Sequence, residues 1–209
     1  MSRSTRLLGA ILSIALAVPA AVAADLPAPS TPASRQKKAR DYFTDTVLVN
    51  QDGKQVRLYS DVLGGNVVIL SFVFTRCVEA CPLICQKLNG VRRQLGDDFR
   101  HVRFVSFSVD PEFDTPAELT RFASKMEAVY PNWTFLGGKK ENVSFVLKRL
   151  GEWPEEPGDH TTAFMAGNVR TGHWTKIRPD MPAAAIADTL RRLVAEDLGD
   201  GESPPRAAN

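Results

Sequence analysis

Residues 66–82 read NVVILSFVFTRCVEACP and contain the most informative pattern in the chain. Residues 66–74 are an almost unbroken apolar run of β-forming residues, which is typical of a central strand buried on both faces. Two cysteines follow, and Pro82 comes directly after the second. Because proline lacks a backbone N–H, a helix tolerates it only within the first turn. The stretch therefore predicts a buried strand, a turn that carries Cys77, and a helix that begins near Cys81.

Strands and helices are predicted to alternate along the rest of the chain. Two strands joined by a turn at Gly53 come first, and a hairpin around Gly172 precedes the closing helix. Thr115 is expected to cap a helix, because Pro116 and Glu118 follow it. The order ββ, β-α, β-α, β-α, ββ, α predicts an α/β fold with a central, mostly parallel sheet flanked by helices and an N-terminal β-hairpin. This order is compatible with a thioredoxin-like layout. The predicted strands are 46–49, 55–58, 66–74, 102–109, 134–136, 163–168 and 173–177, and the predicted helices are 82–95, 115–128, 141–150 and 183–198.

The N-terminus has the three-part pattern of a secretory signal peptide. Arg3 and Arg6 precede an apolar run over residues 7–18, and the small residues at 21–23 fit a cleavage site. The run is shorter than the roughly 20 residues that a membrane span needs. We therefore expect residues 1–23 to be a signal peptide that directs the protein to the periplasm, with membrane anchoring as the alternative if the leader is not cleaved.

The remaining chain is expected to form one domain between two polar segments. Residues 24–40 are rich in Pro, Ala, Ser and Lys and are predicted to be a flexible lead-in, and residues 199–209 a flexible tail. The domain then covers residues 41–198. Without the two leader arginines the 26 basic residues become 24, which equals the 24 acidic residues. A nucleic-acid partner is not expected, because it would need a basic excess.

The three cysteines Cys77, Cys81 and Cys85 lie close together in the sequence. An odd, clustered set is not a disulfide framework, so it indicates metal binding or redox chemistry. Unpaired backbone N–H groups at a helix start stabilise a thiolate, which is both a nucleophile and a metal ligand. The spacing of the first two cysteines allows a disulfide or a soft-metal site for Cu(I) or zinc, and does not choose between them. Cys85, one turn further on, is a small core residue, a third thiolate ligand or a resolving cysteine.

Three motifs resemble the conserved blocks of the Sco/SenC family of thioredoxin-fold copper chaperones, which are associated with cytochrome c oxidase assembly. They are the cysteine motif at 74–82, the Asp-Pro block at 108–116 and the Asp-His-Thr motif at 159–161. The resemblance runs from about Phe43 to Leu198. It implies that Cys77, Cys81 and His160 ligate copper, as Cu(I) or Cu(II), and that residues 41–198 are a copper-binding domain.

The resemblance implies a periplasmic metallochaperone, without enzymatic activity, that delivers copper to an oxidase subunit or another periplasmic copper protein. The alternative is a thiol–disulfide oxidoreductase with Cys77 and Cys81 as its redox pair, acting on the copper-site cysteines of a partner. A peroxide-reducing enzyme of related fold is a third hypothesis, which rests only on Arg76 beside Cys77. Val78 and Glu79 replace the Pro and Asp usual in the family, so the same affinity and partner do not follow.

Other polar residues have structural explanations from the sequence. Asp110 and Asp114 are expected to form a turn and to favour a helix start, although the resemblance leaves room for a role in shaping the copper loop. His173 is expected to be exposed, with a secondary metal contact as the alternative. His101 is expected to lie in a surface loop.

Overall fold

A computed structural model describes residues 31–199 of the chain, with side chains through residue 196. The predicted signal peptide and almost all of the predicted tail lie outside the described residues. The helices are α1 (Pro32–Phe43), α2 (Ala80–Leu95), α3 (Pro116–Lys125), α4 (Lys140–Leu150) and α5 (Ala183–Gly199). The strands are β1 (Val47–Asn50), β2 (Gln55–Arg57), β3 (Val67–Val73), β4 (Val102–Ser108), β5 (Trp133–Gly137), β6 (Phe164–Asn168) and β7 (His173–Ile177).

All seven strands form one sheet in the order β2-β1-β5-β4-β3-β6-β7. The β3–β4 and β4–β5 ladders are parallel, and the other four ladders are antiparallel. The expected mostly parallel sheet is therefore too broad a description, because only the two ladders among the central strands β5, β4 and β3 are parallel. Two of the four antiparallel ladders lie between the central strands and the flanking strands β1 and β6, and the other two belong to the hairpins at the flanks of the sheet. Their turns contain Gly53 and Gly172, which adopt positive φ values of 76° and 78° that favour glycine.

Strand β3 is buried at every position and divides the core into two layers. Val67, Ile69 and Val73 pack on the side covered by α2, α3 and α5. Val68 and Leu70 pack on the opposite side, which is covered by α1, α4 and a short helical segment at Leu58–Leu63. Alternation with a period of two follows from the pleat of a strand. The predicted central strand with two buried faces is confirmed.

Helix α1 lies partly within residues 24–40, where the composition indicates a flexible lead-in. Thr31 caps the helix with its side chain, and a proline occupies the first turn. Long-range contacts hold it in place: the Arg149 guanidinium donates to the backbone carbonyl of Tyr42 at 2.6 Å, and Phe43 is buried. The structure differs from the expectation because these contacts come from α4 and the core rather than from the segment itself. The division of the full chain into leader, lead-in, domain and tail otherwise stays a prediction.

None of the helices within residues 31–199 is long and apolar enough to cross a membrane.

Candidate metal centre

Three metal-binding side chains meet at the carboxyl end of β3. Cys77 lies in the loop that links β3 to α2, and Cys81 is in the first turn of α2. His160 precedes β6, which runs antiparallel to β3, so the residues before β6 pass over the end of β3. One sulfur from each cysteine and a ring nitrogen of His160 all lie within 4.8 Å of one another. Within the described residues, these three side chains form a group that could hold a metal ion.

The imidazole of His160 is oriented by a backbone carbonyl. Nδ1 lies 2.9 Å from the Thr161 oxygen, and because a carbonyl can only accept, Nδ1 carries the proton. Nε2 is then free as an acceptor or metal ligand, and it lies 3.6 Å from the Cys81 sulfur. Burial lowers the pKa of His160, against the opposing effect of the Thr161 bond, so the ring is neutral at pH 7. The ring also packs edge-on against Phe74.

The sulfur of Cys77 takes the place of a helix cap. It accepts the backbone N–H of Cys81 at 3.2 Å, while the side chain of Glu79, which precedes α2, makes no capping bond. Partial burial raises the pKa of the Cys77 thiol, but hydrogen bonds from the backbone N–H groups of Cys81, Glu79 and Ala80 together lower it by more. The net pKa is therefore below the usual value. Cys77 is half-buried, whereas Cys81 and His160 are buried. Cys77 is therefore the more accessible and more easily ionised of the two thiols in the group.

Cys81 has the opposite environment. Its side chain has no exposed surface, and burial raises the pKa of its thiol well above the usual range, assisted by Cys77 and Cys85. The backbone N–H of Phe74 points at the sulfur from 3.5 Å and offsets part of this effect. Cys81 therefore keeps its proton at neutral pH.

Cys85 lies in the hydrophobic core and outside the convergent group. It is 1 % exposed, and it packs in the α2 layer of the core. Burial raises the pKa of its thiol to about 12. No disulfide joins any of the three cysteines in the structure. The packing favours the core-residue interpretation, while the roles of third ligand and resolving cysteine stay untested.

The other two histidines lie apart from this group. Nδ1 of His173 lies 2.6 Å from a carboxylate oxygen of Glu196, and the His173 side chain is exposed as expected. His101 ends a short helical segment before β4 and accepts a hydrogen bond from Arg100. Neither joins the cysteines within the part of the chain that the structure describes.

Two aspartates that the sequence indicated as turn residues contact the cysteine loop. Asp114 accepts hydrogen bonds from Thr75, and Asp110 pairs with Arg76. A usable signal was present in the sequence, because the Asp-Pro block directly follows β4. The carboxyl ends of adjacent parallel strands meet at one edge of a sheet, so pairing of β3 with β4 places this block beside Cys77.

Comparisons with known proteins point to one family. The SCO1/SenC family profile matches residues 34–195. The SCO1 protein homolog of Bacillus subtilis (strain 168) is 41% identical over 110 residues, which are 52% of this chain and 56% of that protein. Bradyrhizobium japonicum ScoI, solved with copper bound, is 25% identical with a TM-score of 0.58, over 71% of this chain and 96% of that chain. BsSco, described as having a disulfide switch and as a member of the Sco family of cytochrome c oxidase assembly proteins, is 28% identical with a TM-score of 0.62, over 73% of this chain and 93% of that chain.

The family profile covers almost all of the described residues, whereas the individual relatives are matched over 52–73% of this chain. The chain spans little more than half the length of the Bacillus subtilis protein. The two solved structures confirm the thioredoxin-like α/β fold, with the correction to the sheet given above. The family profile extends from within α1 into α5 and includes Cys77, Cys81 and His160. The chain therefore belongs to the SCO1/SenC family.

Proposed function

We propose that this protein is a periplasmic copper metallochaperone that binds one copper ion through Cys77, Cys81 and His160. The observation that carries the proposal is the convergence of two sulfurs and a ring nitrogen within 4.8 Å. Two thiolates are soft ligands that select Cu(I), and imidazole is a borderline ligand that suits either copper oxidation state. The copper bound in the Bradyrhizobium japonicum relative supports the same cargo here.

The partial exposure of Cys77 beside two buried ligands supports transfer by ligand exchange rather than permanent retention. Cys81 and His160 are buried, so an incoming ligand from a partner can approach the ion only beside Cys77. A ligand of the partner would first replace Cys77 on the copper ion. Cys81 and His160 would then release the ion to the partner. The surrounding shell shapes access in this way at many metal sites.

We infer that the receiving protein is a respiratory oxidase subunit, with another periplasmic copper protein as the alternative. The description of BsSco as one of the cytochrome c oxidase assembly proteins supports the first. Export to the periplasm is supported by the leader pattern of residues 1–23.

An anaerobic Cu(I) titration of the reduced protein tests the binding. We expect saturation at one equivalent, and weaker binding in His160→Ala because the imidazole is lost. His173→Ala is the matched control, since its ring pairs with Glu196 and not with the cysteines. Absence of stable copper binding, or equal weakening in both variants, would remove the proposal.

A thiol–disulfide oxidoreductase is the second candidate, and the lowered pKa of the half-buried Cys77 favours it. In this reaction the Cys77 thiolate attacks a partner disulfide and releases one partner thiolate. Cys81 then attacks the mixed disulfide, so that the partner gains two electrons as a dithiol and a Cys77–Cys81 disulfide forms. Exchange that survives His160→Ala with unchanged rate would favour this function over copper transfer.

A further inference from the structure

The loops that follow β3 and β4 are joined by a closed hydrogen-bonded ring. One carboxylate oxygen of Asp114, Oδ1, accepts the backbone N–H of Thr75 at 3.1 Å and its hydroxyl at 2.6 Å. The other oxygen accepts the hydroxyl of Ser108 at 2.6 Å. Ser108 in turn accepts the backbone N–H of Asp110, whose carboxylate pairs with Arg76 at 2.6 Å. Since Thr75 and Arg76 are adjacent, the ring closes immediately before Cys77.

We propose that Asp114 is a positioning residue for the metal centre. Through Thr75 it holds the loop that carries Cys77 where the Cys77 sulfur can share one ion with Cys81 and His160. The inference rests on the proposed copper-binding function, and it adds a residue that makes no contact with the ion. It also assigns the Asp-Pro block a role beyond forming a turn.

The burial of Asp114 indicates that its carboxylate holds the cysteine loop in position. Its side chain is 2 % exposed, and burying a carboxylate is costly unless it is well hydrogen-bonded. Burial raises the pKa of Asp114, and the bonds from Ser108 and Thr75 act against that rise. Two of its three side-chain and backbone donors belong to Thr75. A buried carboxylate that accepts two of its three hydrogen bonds from one loop residue can hold that residue in position.

Asp114 is not needed to start the next helix. Thr115 already caps α3, because its side chain accepts the backbone N–H of Glu118. The other tether of the loop is less shielded from solvent: the Asp110 side chain is 10 % exposed, but that of Arg76 is 57 % exposed, and exposure of one partner weakens an ion pair. The Asp114–Thr75 contact is therefore the buried tether of the segment before Cys77.

A matched set of variants tests the role of the tether. Thr75→Val is isosteric and removes only the hydroxyl bond to Asp114, Thr75→Ser keeps that bond, and Asp114→Ala removes the whole tether. Ser71→Ala is the control, because it deletes a buried hydroxyl contact between β3 and β4 outside the ring. Ser106, the partner of Ser71, still accepts the indole N–H of Trp133 at 3.0 Å, so it keeps one hydrogen-bond partner in the control.

Two readouts are measured on each folded variant: Cu(I) affinity by competition with a chromophoric chelator, and the glutathione ratio at which the Cys77–Cys81 pair is half oxidised. We expect Thr75→Val to weaken Cu(I) binding about 10- to 100-fold, the range found when residues that orient metal ligands are replaced. Asp114→Ala should weaken it at least as much. Thr75→Ser should restore most of the affinity, and Ser71→Ala should stay close to the natural protein.

The glutathione ratio separates failure of this inference from failure of the copper proposal. We expect Thr75→Val to shift that ratio by about threefold or more, since the loop sets the approach of the two sulfurs. If the natural protein binds no Cu(I), the copper proposal fails and this shift alone decides the positioning role. Affinity and ratio both within twofold of the natural protein in Thr75→Val would overturn the role, and so would equal changes in Ser71→Ala.

Discussion

The Cu(I) affinity of the reduced protein should depend steeply on pH, in a way set by the two cysteine environments. A metal binds the thiolate, so each thiol that is still protonated costs one decade of affinity for every unit by which the pH falls. Burial keeps Cys81 protonated throughout the neutral range, which contributes one decade per unit. Cys77 adds up to a second decade below its lowered pKa and nothing above it. The pKa of His160 is lowered from 6.5, so the ring adds no dependence above pH 6.5.

We therefore expect the affinity to rise by between about one and two decades per pH unit from pH 6.5 to 8. Each decade corresponds to about 1.4 kcal/mol of binding free energy. The assay is a competition titration at several pH values with a chelator of known pH dependence. Cys77→Ser should reduce the slope to about one decade, whereas His160→Ala should lower the affinity and leave the slope unchanged. A slope clearly below one decade in the natural protein would refute the assignment of Cys81 as a buried, protonated ligand.

Three further outcomes are expected. Cys85→Ala should still bind one equivalent of Cu(I), because Cys85 lies outside the convergent group; loss of stoichiometric binding would make Cys85 a ligand. Iodoacetamide should label Cys77 first in the reduced, metal-free protein, which peptide mass spectrometry checks, because the other two thiols are buried with raised pKa values; earlier labelling of Cys85 would contradict this packing. Gly167→Ala should lower the free energy of unfolding in urea by about 1–3 kcal/mol, because the new Cβ would overlap the indole of Trp174. Gly158→Ala is its control, with no atom within 4 Å of the added Cβ, and an equal loss in both would refute the overlap.

The position of the cysteines could be predicted from local sequence. A long β-forming run ending at Phe74, followed by Pro82 eight residues later, left only a short loop and a first helical turn for Cys77 and Cys81. The Thr115 cap was predictable for the same reason, since its partners are within one turn. Local rules of this kind depend on neighbours in the chain and need no knowledge of the fold.

The remainder depends on contacts between distant residues. The direction of β6 beside β3 brings His160 to the cysteines, and no local pattern specifies that direction. Helix α1 is polar and is held by Arg149, more than 100 residues away. The Asp114–Thr75 bond likewise joins residues 39 positions apart. Composition and periodicity do not report such pairings, although adjacency of parallel strands could have suggested the last one.

Copper X-ray absorption spectroscopy of the protein loaded anaerobically with one equivalent of Cu(I) tests the central claim most directly. We expect two sulfur ligands and one imidazole nitrogen, with the nitrogen absent in His160→Ala and the natural spectrum retained in Cys85→Ala. A site of sulfur ligands alone in the natural protein would contradict the assignment of Cys77, Cys81 and His160 as the copper ligands.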